Sequence, residues 1–220
     1  MSRLLALSRR IAQMKAMPQP PTYGLSSPAT ARNREPLLRV LKPRLPASGL
    51  VLEIAAGAGE HAVYFAEAFP ELQWRPTDAD PEALASIAAW RDQARPPNLL
   101  TPLRLDASDP DAWPVTHADV VICINMIHIA PWAATEGLMT GAARVLPPGG
   151  LLITYGAYLE RDVPTAPSNL EFDRNLKARD PAWGLRDRDE VARLAATHGL
   201  TLSERIAMPA NNLTLVFRKG

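Results

Sequence analysis

The chain is nearly without cysteine. A single residue, Cys123, among 220 leaves no disulfide framework and no cysteine-ligated zinc site. No apolar run of about 18 residues occurs, which argues against a membrane-spanning helix. Lysine is scarce, with twenty of the 24 basic residues being arginine; together with 22 prolines this reads as compositional bias of the source. Acid is missing from residues 1–34, which carry six basic residues (Arg3, Arg9, Arg10, Lys15, Arg32, Arg34). The remainder holds 18 basic and 23 acidic residues, a net of −5. A body of that sign is poorly suited to a phosphate backbone, so no nucleic-acid partner is expected. What is present suffices for a core: 47% of residues are hydrophobic and 21% charged, which excludes a mainly disordered chain. The length fits one domain with a short appendage.

Residues 1–30 read as a basic extension followed by a proline-rich linker, and residues 31–220 as the folded domain. Leu4, Leu7, Ile11 and Met14 mark one side of a small helix over 1–17. Such an acid-free, arginine-bearing start suits a loosely held tail or docking helix in a cytoplasmic protein; it also resembles a mitochondrial transit peptide, which applies if the source is eukaryotic. Helix and strand patterns then alternate. Pro36 suits the first turn of a helix reaching Lys42. Strands are expected at 50–54, 72–77, 99–105, 118–124 and 150–155, with helices at 60–69, 81–90 and 135–146 between them. This alternation implies a doubly wound, mostly parallel α/β sheet. Ser168 with Glu171, and Asp187 with Glu190, have capping-box spacing for helices near 169–178 and 188–198. Residues 200–207 and 212–218 are too close together for a parallel return, so they form an antiparallel hairpin. The expected sheet has seven strands.

Chemistry concentrates in VLEIAAGAGEH at 51–61. Gly57 and Gly59 make a tight turn between strand and helix, where free N–H groups and a bare backbone admit a ligand. Asp78 closes the second strand, placed to accept from ribose hydroxyls. Glu53, just before the turn, is badly placed for a pyrophosphate and suits a cationic amino group. Asp106 and Asn125 close the third and fourth strands, so four polar side chains fall at four successive strand ends, where doubly wound sheets bind ligands. Asp80 is an alternative ribose partner or the N-cap of the helix starting at Pro81.

The sequence resembles the class I S-adenosylmethionine-dependent methyltransferases. Within them it is similar to the family numbered 938 among domains of unknown function, which includes methyltransferase-like protein 26. The resemblance rests on RNREPLL at 32–38, VLEIAAGAGEHAVYFA at 51–66, INMIHIAPW at 124–132, SNLEFD at 168–173, RDPAWGLRD at 179–187 and PANNL at 209–213. It implies a Rossmann-like methyltransferase fold using S-adenosylmethionine and releasing S-adenosylhomocysteine. By this likeness Glu53, Gly57 and Gly59 hold the methionine end, Asp78 the ribose and Asp106 the adenine amine. Ala58, Ala79, Ala107, Asn125 and Met126 complete the cofactor contacts.

Methyl transfer asks mainly for alignment and exclusion of water, with removal of an acceptor proton where needed. His128, expected to face the methyl group, and His61, at a helix start that favours neutral imidazole, are the candidate bases, with Asp173 beside them. Each has a plainer role as a satisfied core or surface residue. Trp132, Tyr155, Asn169, Trp183 and Asn211 are the expected acceptor contacts, and the long 156–187 stretch reads as a lid. No metal is expected. The partner is a small-molecule acceptor, with neither nucleic acid nor membrane. Two other readings share these residues. An NAD-dependent oxidoreductase keeps Gly57, Gly59 and Asp78 but leaves Glu53 unexplained, and a non-catalytic module keeps the fold and the cofactor.

Overall fold

The computed structural model describes residues 24–220. The expected basic helix and most of the proline linker lie outside the described residues. Helix α1 (Pro28–Leu41) begins eight residues earlier than the sequence suggests, and Pro36 lies inside it. Pro28 takes the early position that needs no N–H, so the proline signal was assigned to the wrong residue of a pair. Leu37, Leu38 and Leu41 bury one side of α1.

The remaining elements follow the alternating pattern. They are β1 (Gly49–Ile54), α2 (Glu60–Ala68), β2 (Leu72–Asp78), α3 (Pro81–Ala94), β3 (Leu103–Arg104), β4 (Val120–Ile124), α4 (Trp132–Val145) and β5 (Leu151–Gly156). After them come β6 (Tyr158–Leu159), α5 (Pro167–Arg179), β7 (Arg186–Asp187), α6 (Arg188–Thr197), β8 (Leu200–Met208) and β9 (Asn212–Lys219). Seven strands form one sheet in the order β3-β2-β1-β4-β5-β9-β8. All neighbours are parallel except β5–β9 and β9–β8. The expected hairpin is therefore present, with β9 inserted between β5 and β8.

Three local expectations fail. The third strand shrinks to two residues plus a bridge from Leu99 to Trp74, because Pro102 has no N–H to continue the ladder. Ser168 does not cap α5: Ala166 precedes the helix, Pro167 opens it, and Ser168 lies inside. A short parallel pair, β6–β7, was not anticipated. The other caps hold. Asp80 accepts from Glu82 N, and Asp187 accepts from both Asp189 N and Glu190 N.

Alternating residues of the central strands feed two cores. Leu52, Ile54, Val121, Cys123 and Leu152 pack with Leu138, Met139 and Ala142 of α4 and Val191 of α6. Val51, Val120, Ile122 and Ile153 pack with Leu37 and Leu41 of α1 and Ala62 and Phe65 of α2. Strands covered on both faces in this way present only their ends to ligands. The order reverses between β1 and β4, which leaves a crevice at their carboxyl ends.

Candidate functional site

The turn after β1 is fixed from below. Ala56 N donates to Thr77 O (2.8 Å) and Thr77 Oγ1 to Glu53 O (2.8 Å), binding the ends of β1 and β2 together. Gly57 and Gly59 both have positive φ, 57° and 92°. Gly59 is also packed: a Cβ there would lie 2.8 Å from Ile87 Cα. At Gly57 a Cβ would meet nothing within 4 Å. The turn is thus closed beneath Gly59 and open above Gly57, which is the bare-backbone cradle an incoming ligand requires.

One carboxylate borders that opening, and a second follows at the next strand end. Asp78 accepts Gly57 N at Oδ2 (2.9 Å) and Asp80 N at Oδ1 (3.0 Å). Each oxygen keeps a second lone pair for a ligand hydroxyl. Asp106 accepts Ser108 Oγ (2.6 Å) and Ser108 N (2.8 Å), both at Oδ1. These bonds hold its carboxyl below the usual range, so it is ionised. Ala79 is exposed beside Asp78, while Ala107 and Met126 are buried behind the strand ends. Asn125 has φ 65° and donates its backbone N–H to Tyr155 O (2.8 Å), which shapes the turn after β4.

Glu53 differs from expectation. Its side chain is 1% exposed and accepts from Trp74 Nε1 (2.7 Å). Burial pushes its pKa up to about 7, against the lowering effect of the indole bond, and Asp78 raises it further. Oε2 is thus committed to the wall of the site, whereas Oε1 has no partner among the described residues, and the raised pKa makes the group less of an open anion than the sequence suggests. The physical reason is Trp74, whose indole N–H must itself be satisfied on burial.

The expected bases are also withdrawn. His128 is 1% exposed, with its ring edge-on to Tyr158 at a centroid distance of 5.1 Å. A Cβ on Gly156 would lie 2.0 Å from His128 Nε2, so the ring is packed under the β5 terminus. Neither ring nitrogen has a hydrogen-bond partner, and burial lowers its pKa to about 3. His61 is bonded through Nε2 to Asn33 Oδ1 (2.7 Å) and stacks on Phe65. Burial, with Arg34 nearby, lowers its pKa to about 4, so it is neutral. Asp173 is a staple: it accepts Leu185 N (2.8 Å) and pairs with Lys177 (2.6 Å). Burial raises its pKa, but these bonds bring it below the usual value.

Two of the five expected acceptor residues come together and the other three lie apart from them. Asn169 and Asn211 come together, with Asn169 Nδ2 donating to Asn211 O (2.9 Å). They line a cleft of about 190 Å³ with Tyr158, Met208 and Leu213. Trp132 lies under Arg186 at 5.7 Å and Trp183 under Arg179 at 4.9 Å. Arg186 donates to Ile127 O, Ala130 O and Ala182 O, pinning the loop after β4 to the α5–β7 connection. Tyr155 is buried beneath α1, where burial raises its pKa and Asn33 partly offsets the rise.

Asn33 and Arg186 were not singled out from the sequence, although both lie in blocks that carry the resemblance. Nor was Ser86, which lies outside those blocks; it donates to Ala58 O (2.7 Å) and accepts from Leu25 N (2.8 Å). It ties the chain before α1 to the glycine turn. Glu60 adds to this tie by accepting from Ser26 and Ser27. Among the described residues, no group of three or more His, Cys, Asp or Glu side chains could hold a metal ion, and no helix is long and apolar enough to cross a membrane.

This sheet order, with an open glycine turn after β1, defines a Rossmann-like class I methyltransferase fold, and solved structures agree. An O-methyltransferase family protein from Burkholderia thailandensis superposes with a TM-score of 0.74 at 17% identity, over 87% of this chain and 57% of that one. Human N-acetylserotonin methyltransferase in complex with SAM gives 0.73 at 17% identity, over 87% and 53%. CalO1, a methyltransferase in calicheamicin biosynthesis in its SAH-bound form, gives 0.72 at 20% identity, over 87% and 54%. The chain spans little more than half the length of these proteins. Its own sequence matches the family described as "Protein of unknown function (DUF938)" over residues 25–219, and the chain belongs to that family.

Proposed function

We propose that this protein is an S-adenosylmethionine-dependent methyltransferase acting on a small-molecule acceptor. The observation that carries the reading is the open backbone above Gly57, bordered by Asp78, with the ionised Asp106 beyond the next strand end. The residues fit the cofactor at the turn and at the ribose and adenine positions. At Glu53 the indole of Trp74 takes Oε2, which leaves only Oε1 for the expected ammonium contact.

When bound, S-adenosylmethionine supplies a methyl group activated as a sulfonium, which an acceptor lone pair takes while the carbon–sulfur electron pair stays with sulfur. The chain's contribution is position. Asp78 joins ribose recognition to the shape of the turn, because the same carboxylate holds Gly57 N. The strand ends keep both partners over one rigid edge. With His128 packed away and His61 bonded to Asn33, the acceptor proton leaves to water or by the acceptor's own acidity.

Burial of Glu53, with its raised pKa, weakens the electrostatic argument against a dinucleotide. Topology takes its place: the β9–β8 hairpin and the SAM- and SAH-bound structural neighbours favour the methyltransferase reading. Calorimetry decides. S-Adenosylhomocysteine is expected to bind the intact chain. Gly57→Asn, a residue that tolerates positive φ but fills the cradle, is expected to weaken binding at least tenfold while the protein stays folded. Asp78→Ala is expected to do the same. Tight binding of NADH with no binding of S-adenosylhomocysteine would overturn the reading.

A further inference from the structure

The cleft between the start of α5 and the β8–β9 turn lies away from the glycine turn. Leu213 pairs with Gly156, the last residue of β5, so the cleft sits at the carboxyl edge of the sheet. It is three strand intervals from β1, about 14 Å. Asp78 and Asp106 lie on the opposite half, beyond β2 and β3. The cofactor residues and the cleft thus flank the order reversal.

Its lining is selective about charge. Among the described residues, only two charged side chains reach it, Glu160 and Arg205. They already satisfy each other through Arg205 Nη2 to Oε1 (2.5 Å) and Arg205 Nε to Oε2 (3.0 Å). Arg188 Nη1 makes a further bond to Glu160 Oε2 (3.0 Å). Bonding to Arg205 holds the Glu160 carboxyl below its usual range. A ligand carboxylate would meet a guanidinium whose charge Glu160 already compensates, and a ligand ammonium would meet a carboxylate claimed by two guanidinium groups.

The neutral polar groups point the other way. Asn169 is 7% exposed, and its Nδ2 is committed to Asn211 O. That bond orients Oδ1 as an acceptor, and among the described residues no donor reaches it. An amide oxygen that lines a cleft with no protein donor on it favours a ligand that donates. Tyr158, Met208 and Leu213 supply apolar walls. The volume, about 190 Å³, is below the roughly 300–1,000 Å³ of drug-sized sites and suits a single ring.

We infer that this cleft is the acceptor pocket and that it selects a small, electrically neutral molecule whose nucleophilic atom carries a hydrogen-bond donor. A hydroxyl is one such group, since it both donates to Asn169 Oδ1 and keeps a nucleophilic lone pair. This rests on the methyltransferase reading for the word acceptor, but the cleft's preference is testable alone. The probes are phenol, anisole, benzoate and benzylammonium, read by saturation-transfer NMR on the full chain with and without S-adenosylhomocysteine. Phenol is expected to bind at least tenfold more tightly than the other three. Asn169→Leu and the cleft-filling Ala166→Phe should each weaken phenol at least tenfold and leave S-adenosylhomocysteine affinity within twofold. Benzoate or benzylammonium binding as well as phenol overturns the inference, as does phenol binding untouched by either substitution. If phenol selectivity holds but S-adenosylhomocysteine does not bind, the methyltransferase reading falls and the cleft's chemistry stands. The converse result leaves the cofactor site and removes the cleft.

Discussion

A carboxyl group bonded to an indole behaves unlike one open to a ligand. Glu53 has a native pKa of about 7 against an ordinary value of 4.5. Between those values the unfolded chain holds fewer protons than the native one, so this group makes stability fall as pH rises. The full effect is about 3 kcal/mol, reached once pH exceeds 7. His61 and His128 act oppositely: their native pKa values of about 4 and 3 cost stability as pH falls below 6.5. The trends compete between pH 4.5 and 6.5, so a variant must separate them. Glu53→Gln can still accept from Trp74 Nε1 and cannot ionise. Its urea midpoint relative to the parent should rise steadily from pH 5 to 8, and a constant difference would contradict the assigned burial. None of this was legible in the sequence. Trp74 lies 21 residues from Glu53, and only the β1–β2 register brings the two together.

At the scale of elements, the caps separate local signals that decide structure from those that do not. Asp187 bonds two N–H groups at the start of α6, and Ser168 bonds none at the start of α5. Asp187→Ala should cost about 1 kcal/mol. Ser168→Ala should stay within about 0.5 kcal/mol. Urea unfolding of the two variants checks the contrast. Both residues have the same three-residue spacing to a glutamate. The difference comes from Pro167, which opens α5 ahead of Ser168. α5 also buries only Asn169 and Leu176 of its thirteen residues. Few apolar contacts hold it, in keeping with a covering element attached mainly by the Asn169–Asn211 and Asp173–Leu185 bonds.

Across the whole molecule, ligand binding and folding are linked because the cradle exists only when β1, β2 and β3 are aligned. S-Adenosylhomocysteine at about 100 times its dissociation constant should add about 2.7 kcal/mol to stability. For a chain of this size that corresponds to a thermal midpoint rise of about 5–10 °C. Differential scanning calorimetry at increasing ligand concentration checks it; no rise would contradict a cradle formed by the native sheet. The same linkage reaches the N-terminal side, since Ser86 bonds both the glycine turn and Leu25.

The sequence alone determined what nearby residues enforce. Alternating apolar runs set the parallel sheet, the short gap between the last two strands forced a hairpin, and two glycines marked the turn after β1. Each depends on steric or loop-length limits acting within a few residues. Tertiary structure alone decided where the polar side chains of the site point. Trp74 drew Glu53 inward, Gly156 and Tyr158 enclosed His128, Asn33 engaged His61, and the β8–β9 turn met Asn169. Those partners come from distant strands and helices, and a buried polar atom takes whichever partner the packing brings within reach.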